Sequence, residues 1–156
     1  MTEDARFEDG TTRPLNLGAM DIEDLAVLSA LAQDAVFPVS EMTWQPKHRR
    51  LALLINRMRW EDQTVATRPP ERVQSLLVIE NVLGVGSQGV DRSDRDTVLS
   101  LMSVTFEPGP DASGNVLLTL AGDGALRAEV EALEVSLRDV TRPYVAPSGK
   151  VPQHPQ

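Results

Sequence analysis

Apolar and polar residues alternate with a period of two over most of the chain, and this pattern predicts strands. Such runs occur at PLNLGA (14–19), SEMTW (40–44) and TVLSLMSVTF (97–106). LALLINRMRW (51–60) and ERVQSLLVIENVLG (71–84) instead contain stretches that are apolar at every position. Because strands of that kind are typical of positions covered on both faces, we expect these two to be central in a sheet.

One segment near the N terminus has the helical period instead. Asp21 is placed to accept hydrogen bonds from the first-turn backbone donors, and Pro38 stops a helix shortly after Phe37. We therefore predict an amphipathic helix over 21–36. Its apolar residues form one stripe, which consists of Leu25, Leu28, Ala32, Ala35 and Val36.

Two hairpins are indicated by turn residues between strands. QPKHRR (45–50) joins the strands on either side of it, and Gly122–Gly124 separates two strands within 115–133. The segment 125–140 fits two patterns. It alternates as a strand, with a one-residue phase slip before Leu133 that a bulge would explain, but it also has a helical stripe. We favour the strand because a hairpin turn precedes it.

These elements predict an α+β domain of about seven mostly antiparallel strands in hairpin succession, with the N-terminal helix packed on the sheet. The alternative is a pleckstrin-homology-like half-barrel that ends in a helix over 125–140. The polar residues 1–13 predict a disordered leader, and the prolines of 141–156 predict an extended tail. The single domain would then span 14–140.

Composition removes several classes of function. The 156 residues include no cysteine, so disulfides, thiolate metal sites and a cysteine nucleophile are excluded. The chain begins without the basic and apolar regions of a signal peptide and has no membrane-length apolar run, so we expect a cytoplasmic protein without a membrane partner. A net charge of −8 repels phosphate, which makes nucleic acid an unfavourable partner.

Two segments resemble binding motifs but lack the surrounding sequence that those motifs require. Gly84–Gly89 matches GxGxxG, but VDRSDRD follows it instead of the amphipathic helix that binds pyrophosphate, so we interpret it as a flexible loop. Asp91, Asp94 and Asp96 do not have the spacing of a calcium loop, and two arginines lie between them. We interpret this charge run as a solvated loop, and we expect no cofactor.

The two histidines offer no catalytic group. His48 lies between Lys47 and Arg49 in a predicted turn, and His154 is two residues from the chain end. Neither position suits a buried general base or a zinc ligand. We therefore assign no catalytic residue and no metal ligand.

The hairpin at 45–60 departs from the acidic balance of the chain, because it carries five of the fifteen cationic residues and no acid. Basic residues interleaved with tryptophans form anion-binding platforms. The candidate binding residues are Trp44, Arg49, Arg50, Arg57, Arg59 and Trp60. The favoured alternative is that Arg57 and Arg59 pair internally with Glu129, Glu131 or Glu134 across the sheet.

Four segments together resemble a bacterial family of uncharacterised small acidic proteins, known only as a domain of unknown function. They are DIEDLAVLSALAQDAV, LALLINRMRWE, ERVQSLLVIENV and LTLAGDGALRAEVEALEVSLRDVTRPY. The resemblance covers nearly all of 14–156 and implies a small cytoplasmic protein with no assigned activity, cofactor or catalytic residue. It also implies that Tyr144, Pro152 and His154 help to dock the tail on the domain.

Function is therefore unknown from the sequence, and the leading hypothesis is a non-catalytic binding or adaptor module that uses the basic and aromatic hairpin. Its partner would be an unidentified protein or a second copy of the chain. The alternatives are a small enzyme that acts on an anionic metabolite and a structural homodimer.

Overall fold

The computed structural model describes residues 14–60 and 71–145. The helix is α1 (Ile22–Ala32), and short 3-10 turns lie at Val39–Glu41 and Pro46–His48. The strands are β1 (Asn16–Ala19), β2 (Val36–Pro38), β3 (Met42–Gln45), β4 (Arg50–Met58), β5 (Glu71–Ile79), β6 (Val82–Gln88), β7 (Val98–Pro108), β8 (Gly114–Leu120), β9 (Ala125–Val130), β10 (Val135–Asp139) and β11 (Tyr144–Val145). The predicted leader, 1–13, and residues 146–156 of the predicted tail lie outside the described residues.

The strands form one sheet with the order β1-β10-β5-β4-β2-β7-β8-β9-β6, in which β3 adds to β4 and β11 adds to β5. All of the strand pairings in the described residues are antiparallel, so the α+β class with a mostly antiparallel sheet is confirmed. The predicted count of about seven strands is wrong, because residues 14–60 and 71–145 alone contribute eleven strands to the sheet. Strands as short as β2 and β11, with three and two residues, carry too few positions for an alternation to be recognised.

Helix α1 begins as predicted and ends earlier. The side chain of Asp21 caps it by accepting from the backbone N–H of Asp24 at 2.8 Å. The predicted end at residue 36 is wrong, because the helix ends at Ala32 and Asp34 adopts a left-handed φ of 66°. Val36 then pairs with strands on both sides, since it lies between β4 and β7. Val36 thus belongs to a strand and Ala35 to the short connection before it, instead of the last helical turn.

The segment 125–140 forms β9 and β10, so the strand interpretation is confirmed and the alternative with a C-terminal helix is wrong. The phase slip before Leu133 marks a corner between two strands and not a bulge within one. There, the N–H of Glu80 donates to the carbonyl of Glu134 at 2.9 Å, and the N–H of Glu131 donates to that of Asn81 at 3.0 Å. Chain 71–88 and chain 125–139 therefore turn this corner together, as β5 with β10 and then β6 with β9.

The glycine-rich segment that we interpreted as a loop lies mostly in a strand, β6. Long side chains of β9 lie beside its glycines: a Cβ added to Gly86 would be 3.5 Å from Arg127 Nη2, and one added to Gly84 would be 3.9 Å from Glu129 Oε1. Pairing with β9 therefore stabilises a strand that contains two glycines, a residue of low strand propensity. Among the described residues, no helix is long and apolar enough to cross a bilayer.

The core lies between α1 and one face of the sheet, which we call the inner face. Helix α1 contacts β7, β1, β4 and β10. Directly opposite residues of antiparallel neighbours share a face, so the rows Leu53–Leu77–Leu137 and Leu51–Ile79–Val135 both point inward. All six of these side chains are fully buried. The central position predicted for β4 and β5 is confirmed, since each has neighbours on both edges.

Candidate binding site

Arg57 and Arg59, two of the six candidate binding residues, lie inside the protein. Their relative exposures are 0% and 1%. Arg57 pairs with Asp139 at 3.0 Å and Arg59 with Glu71 at 2.8 Å. Both arginines are thus paired internally, but neither of these ion pairs is with the glutamates near residue 130 that the sequence had offered. The strand order explains the partner of Arg57. Strand β10, which carries Asp139, is the neighbour of β5, whereas β9 lies between β8 and β6.

Arg57, Ser75 and Asp139 form a buried polar group that we call the Arg57 cluster. The Oδ1 atom of Asp139 accepts from Arg57 Nη2 at 3.0 Å and from the Ser75 hydroxyl at 2.7 Å, while Arg57 Nε donates to Ser75 Oγ at 3.0 Å. Oδ2 accepts from the backbone N–H of Leu15 at 2.8 Å. The cluster therefore joins β4, β5 and β10 to the residue before β1. Because the three side chains are buried and bonded to one another, we assign the Arg57 cluster a structural role and not a binding role.

The other candidate residues lie in different places around the hairpin. Arg49 forms an exposed ion pair with Glu131, and Arg50 pairs with Glu80 at 3.0 Å. The indole N–H of Trp60 donates to the carbonyl of Gln33 at 2.9 Å, just after α1. Trp44 is half-buried and packs against the core. The six residues consequently do not form one continuous surface.

The outward-pointing side chains of β3, β4, β5, β10 and β1 form a second face of the sheet, which we call the outer face. On β4 and β5, the apolar residues Ala52, Leu54 and Leu76 are half-buried there. The row Thr43–Ala52–Val78–Ser136–Gly18 crosses five strands. It consists mainly of small residues and lies between two rows of longer ones. The neighbouring rows are Leu54–Leu76–Arg138–Asn16 and Gln45–Arg50–Glu80.

This difference in side-chain length makes a trough of about 490 Å³ on the outer face. Its floor is apolar and its rim is polar. The trough is lined by Asn16, Gln45, Arg50, Ala52, Leu76, Val78, Glu80, Ser136 and Arg138. Of the six predicted residues, Arg50 alone lines it.

The outer face is more basic than the chain as a whole. Arg50 and Arg138 line the trough with one acid, Glu80, which accepts from Arg50 Nε through both carboxylate oxygens at 3.0 and 3.1 Å. Arg72 lies further along β5 and donates to the carbonyl of Asn56 at 3.0 Å. Arg138 forms no ion pair with any residue in 14–60 or 71–145. The Arg138 guanidinium, which has no counter-ion within the described part of the chain, is therefore available beside an apolar floor.

Trp44 lines a separate pocket of about 220 Å³, on the inner side of β3. We call it the Trp44 pocket. Its walls are Val39, Met42, Trp44, Leu51, Val85, Arg92 and Arg95. An aromatic ring and two arginines thus do come together, although the arginines belong to the loop after β6 and not to the hairpin.

Arg72, Arg92, Arg95 and Arg138 were missed as candidate residues. Arg138 alternates with the buried Leu137 and Asp139, so its outward direction was readable once β10 was accepted as a strand. Its row partners Leu76 and Leu54 are 62 and 84 positions away, and no local pattern relates them. Among the described residues, no group of three or more acidic or histidine side chains is placed to hold a metal ion.

Comparison with known proteins places the chain in a family without assigning an activity. A family model described as "Protein of unknown function (DUF2948)" matches residues 15–154, which confirms the resemblance to a domain-of-unknown-function family. No curated protein and no solved structure matches the chain. The match spans every described element from β1 to β11. The chain therefore belongs to the DUF2948 family, whose function is unknown.

Proposed function

We propose that this protein is a non-catalytic cytoplasmic binding module that docks an acidic protein partner on the outer face of its sheet. One observation carries the proposal: two central strands have a half-buried apolar face with arginines beside it, on the side of the sheet opposite the core. The hairpin contributes to this face through Gln45 and Arg50. Of the candidate binding residues predicted from the sequence, the proposal thus keeps Arg50, and it adds residues of the neighbouring strands.

The distribution of side chains on the outer face supports a protein partner. Protein interfaces combine an apolar centre with a polar rim and are enriched in arginine. Here Ala52, Leu76 and Val78 form the centre, and the rim includes Arg50 and Arg138. Val140 and Tyr144 extend the apolar surface, with relative exposures of 46% and 37%.

The size of the face limits the interface. Strands β4 and β5 each have nine residues, whereas β10 has five and β1 and β3 have four each. With strands about 4.8 Å apart and about 3.3 Å per residue, the five strands cover roughly 490 Å². A standard protein interface buries about 800 Å² on each partner, and transient complexes bury less. The size of the outer face therefore favours a small interface of the transient kind.

Charge indicates the chemistry of the partner. The outer face presents Arg50, Arg72 and Arg138 against Glu80, whereas the chain carries a net charge of −8. An acidic partner would be attracted to this face, and complementary charge also raises the association rate. A second copy would bring its own arginines to the same place, so charge disfavours a symmetric dimer through this face.

Affinity capture with matched charge-reversal variants tests the proposal. Tagged wild-type protein, Arg138→Glu and Arg127→Glu are used to capture proteins from extract of the source cells, and retained proteins are quantified by mass spectrometry. Arg138 and Arg127 are both exposed strand arginines, but Arg127 lies on β9, away from the trough. We expect Arg138→Glu to lower retention of an acidic partner at least tenfold and Arg127→Glu to leave it unchanged.

A second variant separates shape from charge. Ser136→Trp fills the trough without changing an ionised group, and we expect it to lower retention of the same partner. If every captured protein is retained equally by Arg138→Glu and Arg127→Glu, the outer face is not the interface. If light scattering instead shows a wild-type dimer that Arg138→Glu dissociates, the face binds a second copy and the adaptor proposal is wrong.

A further inference from the structure

The Trp44 pocket lies where the inner face of the sheet opens between two strand edges. Strand β3 pairs only with β4, and β6 pairs only with β9, among the described residues. Met42 and Trp44 point inward from β3, and Val85 points inward from β6; all three pack partly against the core. The gap between the two edges therefore exposes apolar side chains that a fully paired sheet would cover.

The loop between β6 and β7 passes over this gap and is fastened to the 3-10 turn on its far side. The N–H of Ser40 donates to the carbonyl of Arg95 at 2.9 Å, and the N–H of Val39 donates to that of Thr97 at 2.9 Å. Arg95 Nη2 also donates to the carbonyl of Ser40 at 3.3 Å. These two backbone bonds and one side-chain bond hold the Arg95 end of the loop beside the pocket without a ligand.

The charges around the pocket are sorted by sign. Arg92 and Arg95 line it, whereas Asp91, Asp94 and Asp96 of the same loop are not among its lining residues. Asp91 is engaged in its own turn, where it accepts from the N–H of Ser93 at 3.0 Å. Two arginines thus line a pocket whose other walls are apolar or aromatic side chains, and no carboxylate of residues 14–60 or 71–145 lines it.

The volume limits the ligand. Pockets for drug-sized ligands have volumes of about 300–1,000 Å³. The Trp44 pocket has about 220 Å³, which suits a molecule with a single ring. An indole face stacks on a planar ring, and a guanidinium binds a carboxylate through a pair of parallel hydrogen bonds.

We propose that the Trp44 pocket binds a small aromatic carboxylate. The ring lies against Trp44 and the apolar wall, and the carboxylate accepts hydrogen bonds from Arg92 and Arg95. This site is separate from the outer face, because the two sets of lining residues have no member in common. A failure to bind a ligand in the Trp44 pocket would therefore not contradict protein docking on the outer face, and the reverse also holds.

Isothermal titration calorimetry of the full chain with benzoate, benzyl alcohol and acetate tests the proposal. These probes separate the ring from the charge. We expect saturable one-to-one binding of benzoate in the micromolar to millimolar range, and binding of benzyl alcohol and acetate at least tenfold weaker. Tryptophan fluorescence of Trp60→Phe, in which Trp44 is the remaining tryptophan, reports whether benzoate contacts that ring.

Matched variants identify the contacts. Arg92→Gln and Arg95→Gln should each lower the affinity for benzoate about tenfold, as expected for loss of a charge-assisted hydrogen bond. Arg138→Gln, an exposed arginine of the outer face, should leave the affinity unchanged. Circular dichroism confirms the fold of each variant. Absence of saturable benzoate binding overturns the proposal, as does equal binding of benzoate by wild type, Arg92→Gln and Arg95→Gln.

Discussion

Strand β4 carries one arginine at its start and another near its end, and the two have opposite environments. Arg50 forms an ion pair in which 43% of its side chain and 27% of the Glu80 side chain are exposed. Arg57 forms one in which the exposures are 0% for Arg57 and 2% for Asp139. The seven-residue separation is odd, so alternation places Arg50 on the outer face and Arg57 on the inner face. The same residue type therefore serves a surface at one end and the core at the other.

The comparison shows what burial requires of a charge. An exposed ion pair contributes little because water already solvates both groups. A buried guanidinium must have a counter-ion and hydrogen-bond acceptors, since desolvation otherwise costs several kcal/mol. Arg57 meets this requirement with Asp139, the Ser75 hydroxyl and the carbonyl of Met58. Removal of the carboxylate from the Arg57–Asp139 pair should therefore lower the free energy of unfolding far more than its removal from the Arg50–Glu80 pair.

The largest expected effect is that of Asp139→Ala, which leaves the Arg57 charge buried without its carboxylate. We expect a loss of about 3–5 kcal/mol in the free energy of unfolding. Urea denaturation followed by circular dichroism measures it. Asp139→Asn keeps the shape and lacks the charge, so it provides a second measurement if Asp139→Ala does not fold.

Glu80→Ala is the matched control for the ion pair of Arg50, at the other end of β4. It removes the carboxylate of the exposed pair, and we expect a loss of no more than about 1 kcal/mol. Equal losses for Asp139→Ala and Glu80→Ala would contradict the distinction between the two pairs. The double variant Arg57→Met/Asp139→Leu sharpens it, because replacing both buried charges by apolar residues should be far less destabilising than Asp139→Ala alone.

An intermediate effect is expected for Ser75→Ala. The Ser75 hydroxyl donates to Asp139 at 2.7 Å and accepts from Arg57 at 3.0 Å, so its loss leaves both with one partner fewer. We expect a loss of about 1–3 kcal/mol in the free energy of unfolding. Ser136→Ala, on the outer face of β10, should change it by less than about 0.5 kcal/mol. Urea denaturation of both variants checks this, and a larger loss for Ser136→Ala would refute it.

The smallest expected effect concerns the carboxylate of Asp91, which lies in the loop between β6 and β7 and not in a strand. Asp91 is fully exposed, and the pKa of its carboxyl lies below the ordinary 3.8, first because of the hydrogen bond from the Ser93 side chain and then because of the bond from the Ser93 N–H. The ionised carboxylate accepts both bonds more strongly than the neutral carboxyl does. The stabilisation of the turn is therefore present above pH 3.8 and is lost as the pH falls through the lowered pKa.

Carbon-detected NMR titration of the Asp91 carboxyl measures this difference. Ser93→Ala should raise the pKa of Asp91 toward 3.8, whereas Ser113→Ala, a serine substitution in another turn, should leave it unchanged. An unaltered Asp91 pKa in Ser93→Ala would show that the side-chain bond is not its cause.

Local pattern was enough to predict much of the fold. The cap at Asp21, the hairpin between β3 and β4, the hairpin at Gly122–Gly124 and the strands after it depend on residues close together in the chain. Where the prediction failed, contacts with residues distant in the sequence determined the secondary structure. Residues 35 and 36 continue the helical stripe, but the helix ends at Ala32, and Val36 pairs with Ser100 and Asn56 in a strand.

The candidate site shows the same limit more strongly. The sequence alone determined the acidic, cysteine-free composition, the antiparallel α+β class and the concentration of cations in one hairpin. Only the tertiary structure decided that Arg57 meets Asp139, 82 positions away, and that Arg50 and Arg138 border one trough. The physical reason is that alternation assigns each side chain to one of two faces of its own strand. Which face is buried, and which charges meet across it, depends on strand order and register, and these are set by the packing of the whole sheet.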